Sequence, residues 1–414
     1  MNISVYSHYF SPEIGAPSAR IYDLAQQWLV QGHQVQVVTC FPNHPTGKLY
    51  PGYRSRLYQH EQLDNIDIHR HWTYITPNKG FAKKTIGHIS YLPSSLAFSH
   101  RHRSDLDVTV GSSPTFFAAM SAAAIAARRK IPFIMEVRDL WPAVFVELGV
   151  LRNQRIIRAL ERLELALYKQ ATKVVTVTDA FRENLIERGV PANKVVSIPN
   201  GADEDFWQPT PPNPELQHRL GLEGKFIALY IGAHGISQAL GRILDSAALL
   251  QTYPDIHIVF VGEGAEKDEL VKRAQQQGLS NVTFLEPVDK AAVKQFYALA
   301  DVCLVPLRNI PLFDTFIPSK MFEMLAMARP VVASVRGEAA DILQRSGGAI
   351  VVEPEDSRAI ADAIVSLFND PAQAQSLGQH GRQFVLDHYS RRSLASKYVQ
   401  VINEARTIYR SKKR

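Results

Sequence analysis

What most constrains this chain is a strand–helix alternation that runs twice, with a proline-rich stretch between the two runs. In the first run, residues 2–7, 35–40, 66–71, 107–111, 133–137, 173–178 and 195–198 read as short apolar strands. Between the first two lies a helical pattern in which Ile21, Leu24, Ala25, Trp28 and Leu29 recur on one face. The segment QPTPPNPEL (208–216) carries four prolines in nine residues and reads as an extended linker. Beyond it the alternation restarts, with strands at 226–231, 257–261, 282–285, 302–305, 331–334 and 350–352. Strands separated by helix-length segments pair in parallel and need helices on both faces, so each run predicts a doubly wound α/β domain. The expected division is residues 1–207, residues 208–390 and a last helical segment, 391–414. At 414 residues the chain can bury two full cores.

Charge and cysteine usage narrow the class. A net charge of +6 favours an anionic partner: a nucleotide, a phospholipid surface or a nucleic acid. Cys40 and Cys303 lie far apart in apolar runs, which predicts neither a disulfide framework nor a thiolate metal site and fits a reducing cytoplasm. No apolar run approaches membrane-span length, and MNISVYSHYF enters a strand directly, without a signal-peptide layout.

Ligands of doubly wound sheets gather beyond the carboxyl ends of the strands, which singles out several loops. Gly15 and Ala16 precede Pro17 at a helix start, where small residues let a phosphate approach backbone N–H groups. Ser112, Ser113, Arg138 and Asp139 follow two strands of the first run. FPNHPTGKLYPGYR (41–54) is too long for a plain connection. In IPSKMFEMLAMARPVVAS (317–334), Pro318 and Ser319 predict a capped helix start, and Lys320 and Glu323 share its first turn. A cation and a carboxylate beside free N–H groups suit a ligand with phosphates and a diol; taken alone, they equally suit a solvated surface pair. Residues 78–104 set Lys79, Lys83, Lys84, Arg101 and Arg103 around Phe81, Ile86, Ile89, Tyr91, Leu92, Leu96 and Phe98. This suits a helix resting on an anionic bilayer or one packed on its own domain, and Pro93 is expected to kink or split it.

The ordered motifs resemble a known family. VGEGAEKDELVKRAQQQGLSNVTFLEPVDKAAVKQFYALADVCLVPL (261–307) and PSKMFEMLAMARPVVAS are similar to the donor-binding half of retaining glycosyltransferases of family 4. YFSPEIGAPSAR, FPNHPTGKLYPGY, PNKGF, EVRDLWP, LGVL and IPNGAD resemble the subgroup that builds O-antigen, colanic acid or other exopolysaccharide units on a lipid carrier. The resemblance implies the GT-B fold, two Rossmann-like domains facing across a cleft, with a C-terminal helix crossing back to the first domain. It implies transfer of a sugar from a nucleotide-diphosphate donor, most simply a UDP-sugar, to a lipid-linked saccharide hydroxyl with retention. The protein would then work at the anionic cytoplasmic surface of the inner membrane.

Carried over by the resemblance, Glu323 takes the ribose hydroxyls, and Gly15, Ala16 and Lys320 meet the diphosphate. Gly262 and Glu263 end a strand at the base, Arg308 also reaches the donor, and Arg138 and Asp139 stand on the acceptor side. Three positions depart from the family pattern. Thr315 replaces the first glutamate of the usual E-x7-E pair, which leaves backbone amides around Thr315–Ile317 to meet the sugar. Ala233 and Gln238 stand where basic phosphate ligands are common. No D-x-D follows a strand in the second half, so no metal or other cofactor is expected, and no recognised nucleic-acid-binding module appears. Sharing the architecture, a UDP-N-acetylhexosamine 2-epimerase and a non-catalytic scaffold remain the alternatives.

Overall fold

The structure, a computed structural model, describes residues 1–13, 15–44, 46–76, 81–147, 149 and 151–412, without the side chains at 81, 82, 84, 144 and 147. Two compact units emerge: Met1–Asn200 with Arg391–Arg414, and Gly201–Ser390.

The first unit is built on an eight-stranded sheet. Its strands are β1 (Asn2–Tyr6), β2 (Gln34–Cys40), β3 (Tyr58–Leu63), β4 (Ile66–His71), β5 (Val108–Ser112), β6 (Phe133–Val137), β7 (Lys173–Thr176) and β8 (Val195–Ser197). The order is β3-β4-β2-β1-β5-β6-β7-β8, parallel except for the β3–β4 hairpin at one edge. Sequence reading misses β3, because YQHEQL has no buried alternation; as an edge strand with polar side chains it is protected from further pairing. One face is covered by the helices Ala16–Val30 and Arg391–Ser411, whose Trp28 and Tyr398 rings meet edge to face at 5.2 Å. On Phe116–Arg129, Ala119 approaches so closely that a Cβ on Gly111 would lie 2.6 Å from its Cα.

Pro93 lies inside a single helix, Phe81–Ala97, rather than splitting it. Packing outweighs the lost hydrogen bond: Tyr91 is fully buried and donates to the Val38 carbonyl at 2.7 Å, and Ser95 meets Ser121 at 2.7 Å.

The second unit holds the strands β9 (Phe226–Ile231), β10 (Ile256–Val261), β11 (Val282–Leu285), β12 (Val302–Pro306), β13 (Val331–Ser334) and β14 (Ala349–Val352). All pair in parallel in the order β11-β10-β9-β12-β13-β14. Its start lies ahead of the proline-rich segment, because that neighbourhood is not free linker. Ala202 forms a bridge with Ser390, and Trp207 is buried against Tyr297 at 5.5 Å between rings. Only part of the stretch is extended, since Pro214–Leu220 is a helix capped by Asn213.

Candidate active site

The carboxyl ends of β9 and β10, together with the short helix Lys320–Ala326, bring Gly262, Lys320 and Glu323 to the second unit's sheet edge. Immediately after β9 and β10 the chain passes through Gly232 and Gly262 at φ 146° and 145°. A Cβ on Gly262 would sit 1.9 Å from the Gly232 carbonyl oxygen, so only glycine lets the two loops approach this closely. The loops are then joined by backbone: His234 N–H donates to Glu263 O at 2.9 Å, and Glu266 N–H donates to His234 O at 2.9 Å.

Lys320 does not lie out in solvent as half of a surface pair. Its Nζ donates to the Ile231 carbonyl at 3.3 Å and stands 3.7 Å from the Tyr230 ring centroid. Burial pushes its pKa down to about 7, with the nearby Cys303 and Glu323 pulling the other way. Such a cation gains by meeting an incoming anion, which would restore its charge.

Glu323 is half-buried, and Tyr297, fully buried on the helix Lys290–Leu299, donates to its Oε2 at 3.3 Å. Burial, then the Glu323 charge, raises the Tyr297 hydroxyl well above its usual range, so it remains a donor and aims the carboxylate. Ser319 does not cap this helix. Its own backbone is helical (φ −56°, ψ −29°), and the first turn uses backbone acceptors instead, Met321 N–H on Pro318 O at 3.0 Å.

The remaining donor-side residues occupy other neighbourhoods. Glu263 accepts from Gly264 N–H at 3.1 Å and pairs with Lys267 at 3.4 Å, which in turn bonds Glu286 at 2.8 Å. Arg308 lies 3.7 Å from Glu266 and lines a cavity of about 480 Å³ with Arg242, Arg273 and Glu355. Lys320 and Glu323 do not line that cavity. Thr315 donates its hydroxyl to Leu312 O at 2.6 Å, within its own turn, and Ile317 packs on the second unit's core. His234 is fully buried among the rings of Tyr230, Phe260 and Phe284, and burial lowers it to about 4, so its imidazole is neutral.

In the first unit, Gly15 is the N-cap of Ala16–Val30, a start with no side-chain cap and no acidic residue in its first turn. Asp139 follows β6, and burial lifts its carboxyl to about 6 against the pull of Arg138. Beneath these residues Arg20 binds Glu136 at 2.9 Å, and Glu136 also accepts from Ser112 at 2.8 Å. Glu13 organises the long loop after β2: it accepts from Asn43 N–H at 2.7 Å and His44 N–H at 2.9 Å, and burial raises it to about 7.

Sequence reading missed Tyr230, Tyr297, Arg20 and Glu13. Each acts across a tertiary contact, and nothing in local spacing marks it.

Of the basic stretch, 78–80 and the side chains of Phe81 and Lys84 lie outside the described residues, Lys79 among them. Ile86 and Ile89 are 53% and 46% exposed on the helix that bears exposed Lys83. Arg101 stacks over the Tyr58 ring at 5.1 Å, and Arg103 pairs with Asp105 at 3.1 Å. Among the described residues, no helix is long and apolar enough to cross a membrane.

Residues 15–201 match the glycosyl transferase 4-like domain, and residues 225–370 match the glycosyl transferases group 1 family. A relative from Escherichia coli K12, provisionally named colanic acid biosynthesis glycosyl transferase WcaI, is 26% identical over 98% of this chain and 100% of its own. Among solved structures, sucrose-phosphate synthase from Thermosynechococcus elongatus superposes with a TM-score of 0.74 at 19% identity, covering 97% of this chain and 98% of its own. Anabaena HepE in complex with UDP and glucose gives 0.72 at 16%, covering 97% and 99%.

Proposed function

Because the chain belongs to glycosyltransferase family 4 and is a glycosyltransferase with the two Rossmann-like domains of the GT-B class, we propose that it moves a sugar from a UDP-sugar to a hydroxyl of a lipid-linked saccharide, with retention, in surface polysaccharide assembly. The observation that carries this reading is the Tyr297–Glu323 hydrogen bond beside Lys320 at the carboxyl edge of the second unit's sheet. A carboxylate fixed by a buried phenol is suited to accept two vicinal ribose hydroxyls. The half-neutral lysine next to it meets the β-phosphate, where charge grows as the sugar departs, and stabilising that charge is the main electrostatic contribution available here.

The acceptor attacks from the face the phosphate leaves, and the departing phosphate oxygen takes the hydroxyl proton. In that scheme the protein supplies position and charge and needs no separate base. Backbone amides around Thr315–Ile317 meet the sugar, since the Thr315 hydroxyl is already engaged with Leu312 O. Polysaccharide assembly is supported by the full-length likeness to a relative named for colanic acid biosynthesis, and UDP by HepE, which was solved with UDP and glucose. The exposed Ile86 and Ile89 beside Lys83 support docking at an anionic cytoplasmic membrane surface, where a lipid-linked acceptor resides.

The test is a melting-temperature screen of UDP- and GDP-sugars on the wild type and on Glu323→Ala. A ligand bound only by the folded chain at 100 times its Kd adds about 2.7 kcal/mol of stability. UDP-sugars should raise the wild-type melting temperature. Glu323→Ala should lose that rise and about 10²-fold of transfer, because hydrogen bonds to a charged group are worth about 1.5–3 kcal/mol. An equal rise in both proteins would sink the donor assignment.

A further inference from the structure

The first unit contains a buried cation whose guanidinium is not fully satisfied among the described residues. Arg138 directly follows β6, and its backbone N–H is fixed by the Ser113 hydroxyl at 2.8 Å, which ties the end of β6 to the end of β5. The residue is only 9% exposed, and its Nε and Nη1 have no acceptor among the described residues. The neighbouring carboxylate that could have served, Glu136, is fully buried and committed to Arg20 at 2.9 Å and to Ser112 at 2.8 Å. Arg20 uses its other donors on Ile198 O, Pro199 O and Asn200. Asp139 is adjacent in sequence, yet no hydrogen bond joins its carboxyl to the guanidinium among the described residues.

A buried guanidinium with unmet N–H groups is costly unless something anionic completes it. Arg138 stands at the carboxyl edge of a doubly wound sheet, the edge at which such folds hold ligands. A guanidinium is also the side chain best matched to phosphate oxygens, because it presents fixed, planar donors and keeps its charge.

We propose that Arg138 is an anion-binding residue that takes a phosphate of the acceptor substrate. The proposal rests on the transferase reading for the word acceptor; the anion site itself rests on Arg138 alone. It makes the acceptor a phosphate- or diphosphate-bearing saccharide recognised through its anionic group as well as its hydroxyl. The site discriminates against neutral glycosides, because without a phosphate the buried N–H groups stay unmet.

The probe is inorganic pyrophosphate, titrated calorimetrically into the full chain with and without saturating UDP. Wild type should bind pyrophosphate in the presence of UDP, and Arg138→Gln should bind it at least tenfold more weakly, with UDP affinity unchanged. Arg138→Lys, which keeps the charge but loses the planar donors, should fall between the two and serves as the control for folding, checked by near-UV circular dichroism. In transfer assays Arg138→Gln should raise KM at least tenfold for a phosphorylated acceptor, and by a clearly smaller factor for a neutral alkyl glycoside. Equal pyrophosphate binding by wild type and Arg138→Gln would overturn the anion site. A fall in UDP affinity in Arg138→Gln would instead assign the group to the donor and overturn the acceptor assignment. If UDP fails to bind wild type at all, the transferase reading fails, while the pyrophosphate titration still decides for or against the anion site.

Discussion

The carboxyl edges of the two sheets treat their buried cations differently. In the second unit, Lys320 rests on the Ile231 carbonyl and the Tyr230 ring, and its charge is partly given up by a pKa near 7. In the first, Arg20 is fully engaged by Glu136 and three residues after β8, whereas Arg138 keeps its charge with Nε and Nη1 unmet among the described residues. A lysine can shed its proton when desolvated; a guanidinium cannot readily do so. Burial lowers Arg138 only to about 10, so the charge persists at neutral pH. A lysine site therefore adapts before its ligand arrives, and an arginine site waits for one. Arg20 illustrates the third case, a buried cation that holds the fold.

That contrast can be broken first at Arg20. Arg20→Met leaves Glu136 buried without its ion-pair partner and should cost about 3–5 kcal/mol of unfolding free energy in denaturant titrations. Loss of less than about 1 kcal/mol would put Arg20 in the same class as Arg138.

Lys320 is separated from both by pH. With Lys320 meeting the donor phosphates as proposed, binding favours the protonated lysine, so UDP affinity should fall as pH rises above about 7, by up to about tenfold per unit. Lys320→Met should weaken UDP binding and flatten that profile; a steep profile in the variant would move the effect elsewhere. Stability follows a definite sign. The lysine pKa is about 7 folded and about 10.4 unfolded, so the unfolded chain holds more protons between those values. Stability should therefore climb from pH 7 toward 10, and the Lys320→Met variant should lack that climb.

A smaller effect is expected at Tyr297. Removing its hydroxyl in Tyr297→Phe leaves the ring packing and takes one hydrogen bond from Glu323, which should weaken UDP about fivefold, in line with about 1 kcal/mol for one hydrogen bond. Smallest for catalysis on soluble acceptors is the helix Phe81–Ala97. Ile86→Asp with Ile89→Asp should release the chain from anionic vesicles in co-sedimentation while leaving transfer to a water-soluble acceptor within twofold, roughly the scatter expected of surface substitutions. Retained vesicle binding would remove the membrane surface from the proposal.

Much of the fold was readable because parallel strands are apolar throughout and helices carry a 3.6-residue stripe. Phe133–Val137, Phe226–Ile231 and Val331–Ser334 have the bounds their patterns predict. β3 was not readable, since an exposed edge strand has no buried face to pattern, and Ser319 was misread because a capping residue type does not guarantee a capping backbone. At the site, the position of Glu323 and Lys320 on one short helix was legible. Their partners were not: Tyr297 is 26 residues away and Ile231 is 89 away, distances over which spacing carries no signal.

The sequence by itself determined two doubly wound sheets, the loops at their carboxyl ends and the family, because each is written in local periodicity and motif order. Only the tertiary structure decided the electrostatic state of the cations at those edges. Whether Lys320, Arg20 or Arg138 is shed, satisfied or left waiting depends on which carbonyl, ring or carboxylate the fold sets against it, and burial gives those contacts their weight.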